Sequence, residues 1–237
     1  MTFLRVLASI AALLVGLTAA EAAPKRIIIV RHGEKQAQLS LCSVGKERAQ
    51  ALAAQYLSPS SPMSLLKGET PAAIMAITLH TLETARPIAR EWGMKIATNP
   101  LMLTPIRNTP YFNSLINVQN RKVVDDLLTN PRWHGKTVVM VWEHFHIASA
   151  ALEKEFAGQQ VTLRQLLHLD RIRGAKVPDT WPDSNYNFFW ILTYKKPSDT
   201  VPASFRVVRQ YFAEPYANLP SNDWSAPEPL PAGSGCT

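Results

Sequence analysis

Residues 27–30 read Ile-Ile-Ile-Val and run straight into Arg31-His32-Gly33-Glu34. The run is too short for a helix and is apolar at odd and even positions alike. Both faces of the strand it forms must therefore be covered, which puts that strand in the middle of a sheet. The polar residues that follow then sit at the strand's carboxyl end. A second β-branched run, residues 137–142, ends the same way, in Glu143-His144. Residues 43–57 repeat apolar side chains at helical spacing (Ala49, Leu52, Ala53, Tyr56), and Ser58-Pro59 stops them. Further helices are expected over 82–92, with Pro87 near the first turn, and over 113–128 and 147–156. Residues 72–78, 188–194 and 204–212 read as strands, and 95–112 as mostly loop. Strands alternating with helices predict an α/β fold, a three-layer sandwich whose central, mostly parallel sheet is flanked by helices. Sheets of this kind bind ligands beyond the carboxyl ends of their strands.

The chain has 237 residues, 46% of them hydrophobic and 18% charged, which is the composition of a core-forming domain. Arg5, an apolar stretch over 7–17 and Ala20-Glu21-Ala22 together have the order of a secretory leader cut before Ala23. The expected organisation is a leader over 1–22, a folded domain over 23–215 and an irregular tail over 216–237. Export would place the protein in a bacterial periplasm or outside the cell. No later stretch holds ~18 uninterrupted apolar residues, so no stable membrane insertion is expected once the leader is gone. The net charge of +7 suits an anionic partner. There is no block of basic residues and no basic-aromatic alternation, so nucleic acid is not expected. Cys42 and Cys236 could pair in an oxidising compartment. One adjoins the first motif and the other lies in a Pro/Gly/Ser tail, so the expectation is that they stay apart.

Two strand-end histidines beside charged residues carry the chemistry. A neutral imidazole is a competent nucleophile toward phosphorus, and a guanidinium offers paired donors to phosphate oxygens. Gly33 permits a tight turn between them and the chain beyond. Alone, Arg-His-Gly is a three-residue match that any turn can contain.

Its context is more specific. Ile-Ile-Ile-Val-Arg-His-Gly-Glu-Lys resembles the signature of the histidine phosphatase superfamily. So do Leu39-Ser40 with Gly45 and Arg48-Ala49, Glu83-Thr84-Ala85-Arg86-Pro87, and the strand ending in Trp142-Glu143-His144. These matches span residues 26–147 in the family's order, with a looser likeness through Trp181-Pro182 and Tyr186-Asn187. The resemblance implies the phosphoglycerate mutase-like fold of the small-domain branch. It also implies a metal-independent, cofactor-free phosphatase that passes the phosphoryl group through His32. Arg31, His32, His144 and Glu143 would be catalytic, with Arg31, Gly33, His80 and Arg86 at the phosphate. The substrate would be a phosphorylated small molecule or macromolecule.

One position departs from the family pattern. The second phosphate-binding Arg is expected where this chain has His80, and an imidazole cannot supply the bidentate fork of Arg. Arg86, Arg48 and Arg107 are the alternatives for that role, and spacing does not choose among them. For the acid that protonates the leaving oxygen, Glu143 comes first and Glu34 second, with a purely structural role for Glu143 as the competing reading. A catalytically weak phosphate-binding protein on the same fold is the alternative function. A metal site built on His32, His144 and His146 is a further rival, argued against by the lack of an accompanying carboxylate motif. His134 and His168 read as surface or packed histidines, Trp142 as core, and Trp181, Trp190 and Trp224 as core before pocket wall.

Overall fold

The computed structural model describes residues 22–37, 40–98, 109–223, 226–227 and 229–236. Residues 1–21 of the expected leader, Leu39, Arg107 and Trp224 lie outside these residues. Strand β1 (Arg26–Arg31) is followed by a small hairpin of β2 (Lys35–Ala37) and β3 (Ser40–Leu41), then by helix α1 (Ser43–Ala51). The chain continues α1 in a wider π-type turn over Leu52–Tyr56. Next come β4 (Ala73–Ala76), α2 (Leu79–Glu91), β5 (Ile96–Ala97), α3 (Thr109–Thr129) and β6 (Thr137–Trp142). Short helices α4 (His144–Ile147), α5 (Ala150–Glu155) and α6 (Leu163–Leu166) precede β7 (Phe188–Thr193) and β8 (Ser204–Arg209).

The main sheet has the order β5-β4-β6-β1-β7-β8. Strands β5, β4, β6 and β1 are parallel, while β7 and β8 are antiparallel to their neighbours. β1 is central, and Ile27 to Val30 are fully buried, as a run apolar on both faces requires. Ile27 and Ile29 face one core with Met140, Trp142, Ile116 and Leu127. Ile28 and Val30 face the other with Leu52, Ala85, Ile88 and Val141. This is the expected three-layer α/β arrangement, with a mostly parallel six-stranded sheet between two helical layers. Among the described residues no helix is long and apolar enough to cross a membrane.

Several boundaries differ from expectation. α2 starts at Leu79, not at 82, because Thr81 Oγ1 accepts from the Thr78 backbone N–H at 2.8 Å and closes the first turn. Pro87 therefore lies inside the helix, not in its first turn, and the Glu83 carbonyl loses its usual helical donor. The loop expected over 95–112 contains β5, which pairs with β4, and α3 begins four residues earlier than expected. The helix expected over 147–156 is two pieces, broken at Ala148, with Ser149 capping α5 through its bond from Leu152 N–H. His168 follows the end of α6 with a positive φ of 54°. Trp142, Trp181 and Trp190 are buried in the core.

The tail is tied back to the domain. Cys42 and Cys236 form a disulfide across a separation of 194 residues, contrary to the expectation that they stay apart. Neighbouring contacts bring them together: Ser43 Oγ donates to Ser234 O at 2.9 Å, and Arg48 donates to Pro220 O at 2.7 Å. Cys42, Val44, Ala51 and Leu219 form a small apolar cluster beneath them.

Candidate active site

The carboxyl ends of β1 and β6 are adjacent, with Arg31 in register with Trp142. The residues that leave them are therefore brought to one place. His32 is fully buried, and His144 is 7% exposed. Their ring centroids are 5.7 Å apart, and His80, from α2, is 5.5 Å from His32 on another side. His32 Nδ1 lies 2.6 Å from Gly33 O. A carbonyl can only accept, so Nδ1 carries the proton and Nε2 keeps its electron pair. Nε2 has no well-directed hydrogen bond and lies 3.3 Å from Glu143 Oε2. Burial lowers the His32 pKa from its ordinary value, against an upward push from Glu143, so the neutral form is favoured.

Close backbone packing holds this turn. A β-carbon on Gly33 would come within 2.6 Å of Gly45 O, and one on Gly45 within 2.1 Å of Glu34 O. Only glycine fits at either position. Thr84 Oγ1 accepts from Gly33 N–H at 2.9 Å and donates to His80 O at 2.9 Å, which ties the turn to α2. Thr84 follows His80 by four residues and so shares its helix face.

Glu143 joins the two histidines from the other side. Thr78 Oγ1 donates to its Oε1, and His80 Nδ1 is 3.8 Å from the same oxygen. Burial alone would raise the carboxyl's pKa. A proton shared with the neighbouring histidines, His32 first and then His80, reverses this and draws it well below the ordinary carboxylate value. Glu34, the second candidate acid, is committed elsewhere. Arg48 Nε is 3.0 Å from both its oxygens and Nη2 is 2.6 Å from Oε1, with both residues 1% exposed. Arg48 is thereby a structural partner of Glu34 and not a free phosphate ligand.

Arg31 is 2% exposed and held by a segment that the sequence did not single out for this role. Its Nη1 faces the carbonyls of Pro182 (3.1 Å), Asp183 (2.6 Å) and Asn185 (3.0 Å). Tyr186 stacks on the guanidinium, 3.8 Å from ring centroid to Cζ. Arg31 Nη2 donates to His144 Nδ1 at 3.1 Å, since a guanidinium only donates. His144 therefore carries its proton on Nε2, which donates to Asp183 Oδ1 at 2.7 Å. Burial first, then the Arg31 charge, lower the His144 pKa to about 3. Arg31 Nε is buried and has no hydrogen-bond partner. Asp183 and Tyr186 reach the site because β7 runs antiparallel to β1: Phe189 pairs with Val30, so the chain just before β7 meets the chain just after β1.

Two predicted residues do not come to the site. Arg86 is exposed and lines a groove of about 240 Å³ between α1 and α2 with Lys46, Glu83 and Arg90. It follows His80 by six residues, about 120° away around the helix. His146, on α4, is buried, which lowers its pKa to about 4, and it takes no part in the convergence of His32, Glu143 and His144. Those three offer ligand atoms within 4.8 Å of one another. His144 already has its electron pair on Arg31 and its N–H on Asp183, so only His32 and Glu143 present uncommitted pairs to a cation.

No protein-family model matches the chain, and no curated protein matches it. Solved structures do. The mycobacterial glucosyl-3-phosphoglycerate phosphatase Rv2419c is 15% identical with a TM-score of 0.43, over 80% of this chain and 99% of that one. A structure described as a candidate phosphohistidine phosphatase SixA from Agrobacterium tumefaciens is 15% identical with a TM-score of 0.40, over 79% and 97%. A candidate α-ribazole-5′-phosphate phosphatase from Escherichia coli is 13% identical with a TM-score of 0.43, over 79% and 97%. At these identities the functional reading rests on the chemistry of the site itself. The solved structures that this chain resembles in fold are described as phosphatases and are matched over about four fifths of its length.

Proposed function

We propose that this protein is an exported phosphatase of the histidine phosphatase superfamily, hydrolysing a phosphomonoester through a phosphohistidine on His32. The observation that carries the reading is the state of His32. Its Nδ1–H is fixed on Gly33 O, and its Nε2 electron pair is buried and not hydrogen-bonded. That is the requirement for in-line attack on phosphorus at neutral pH. Arg31 supplies positive charge, and His144, with its proton on Nε2, supplies a donor to a phosphate oxygen. Nε2 of His32 bonds to phosphorus as the ester oxygen leaves. Water then attacks the phosphohistidine and returns His32 as phosphate departs. Glu143 is the group placed to protonate the leaving oxygen. To act it must hold a proton, which a phosphate dianion arriving beside it favours.

Export is supported by the order of the leader residues and by the Cys42–Cys236 bond, which suits an oxidising compartment. Hydrolysis of an aryl phosphate tests the activity. The rate should survive EDTA and be abolished by His32→Ala. Loss on chelation with recovery in zinc would count against the reading.

His80 favours a second reading, a phosphate-binding protein with slow or no turnover. It stands in the site where the resemblance implies Arg, and Arg86 is turned away. Removing a transition-state donor of this kind costs ~10²–10³ in rate. His80→Arg should then raise the rate near neutral pH, and an unchanged rate would remove this reading.

A further inference from the structure

We propose that Asp183 sets the substrate class of the site: its carboxylate holds the place of a phosphate oxygen on His144, and once displaced it disfavours anionic leaving groups and favours neutral or ammonium-bearing ones. The inference rests on the phosphatase reading for the identity of the incoming group. In the resting site, Asp183 Oδ1 accepts the His144 Nε2–H at 2.7 Å, the donor that a bound phosphate would use. The side chain of Asp183 is 80% exposed against 9% for His144, so this carboxylate stands at the solvent end of the site.

The backbone of Asp183 cannot follow its side chain outward. Its own carbonyl and those of Pro182 and Asn185 are bonded to the buried Arg31, and Tyr186 stacks on the same guanidinium. Only the side chain is free to rotate. A phosphate oxygen that takes the His144 proton pushes the carboxylate aside but leaves it at the mouth, where the leaving group must lie because His32 occupies the inner side.

The charges around this point favour the same selection. Glu34 is neutralised by Arg48, and the cations that act on the Asp183 carboxylate are Arg31, which is buried beneath it, and Lys35. A second phosphate or a carboxylate close to the ester would meet the Asp183 carboxylate at the mouth, with Lys35 as the cation that offsets part of the repulsion. An ammonium group on the leaving alcohol would be attracted. Two unit charges ~4 Å apart in a water-like medium change an equilibrium about fivefold, so reversing the sign of the leaving-group charge should give about tenfold or more.

Two esters of the same length test this: O-phosphoethanolamine, with an ammonium, and phosphoglycolate, with a carboxylate. Binding of each to the purified protein is measured by calorimetry at about pH 7, together with inorganic phosphate. The natural protein should bind phosphoethanolamine about tenfold more tightly than phosphoglycolate. Asp183→Asn keeps an acceptor for His144 but removes the charge. It should bring the two esters within about twofold and tighten inorganic phosphate about fivefold. A ratio that is unchanged in Asp183→Asn, or no binding of any phosphate compound, would overturn the inference. Turnover is read separately with a neutral aryl phosphate. If binding responds to Asp183→Asn as expected while no ester is hydrolysed, the selection by Asp183 stands and the hydrolytic reading falls.

Discussion

Replacing Arg48 with Met should be among the most damaging single changes outside the catalytic residues. Glu34 and Arg48 are both 1% exposed, and three contacts of 2.6–3.0 Å join them. Arg48→Met leaves an ionised carboxylate buried without its partner, a loss of about 3–5 kcal/mol. It also removes the bond to Pro220 O, which helps to hold the tail. With a urea slope of about 2–3 kcal/mol per molar, the unfolding midpoint should fall by ~1–2 M. The double variant Glu34→Leu/Arg48→Met removes both charges and should recover most of the loss, because an apolar pair avoids the desolvation of both ions. It should also still bind inorganic phosphate, since neither side chain is free to reach the substrate. A single variant less than about 1 kcal/mol below the natural protein would refute the reasoning. So would a double variant no more stable than the single one.

Other outcomes follow from the buried histidines and the tail. His144 and His146 have folded pKa values of about 3 and about 4, below the ordinary 6.5. The unfolded chain thus binds protons first as pH falls, and the stability present above pH 6.5 is lost on the way down toward those values. Between pH 7 and 5 each should cost about 2 kcal/mol, and urea midpoints at the two pH values should show it, with a smaller drop in His146→Leu. Equal midpoints would contradict these assignments. Reduction of Cys42–Cys236, or Cys236→Ser, should cost about 2–5 kcal/mol in reversible unfolding, and no change in midpoint with reductant would count against the bond. Thr84→Val leaves the buried Gly33 N–H without its acceptor, so a stability loss of about 1–3 kcal/mol is expected by urea unfolding.

The central strands and half of the site were legible because both depend on local sequence. A run apolar on both faces has few alternatives to a buried strand, and the residues that end β1 and β6 must meet once those strands are neighbours. That placed Arg31, His32, Glu143 and His144 together. What was not legible depends on partners distant in sequence. Asp183 and Tyr186 follow a Trp-Pro pair in a segment with no periodicity. They reach the site only because β7 is antiparallel, and an alternating pattern predicts parallel strands first. The Glu34–Arg48 pair was visible as an acid and a base, but not as each other's partner. Gly45 matched a motif, yet its physical reason, contact with the turn at Gly33 and Glu34, needs the packed structure. The start of α2 was misplaced because its first turn is set by threonine hydroxyls and not by apolar spacing. Cys42 and Cys236 meet through tail contacts that leave little trace in composition.

A phosphohistidine on His32 is the species that distinguishes this mechanism from its rivals. The protein is mixed with an aryl phosphate, quenched in alkali within the first turnovers, where phosphohistidine survives, and its peptides are weighed. A single added phosphoryl group on His32, absent from His32→Ala and insensitive to EDTA, is the predicted result. Rapid hydrolysis with no phosphorylated peptide, or a phosphoryl group carried by His80 or His144 while His32→Ala remains active, would contradict it.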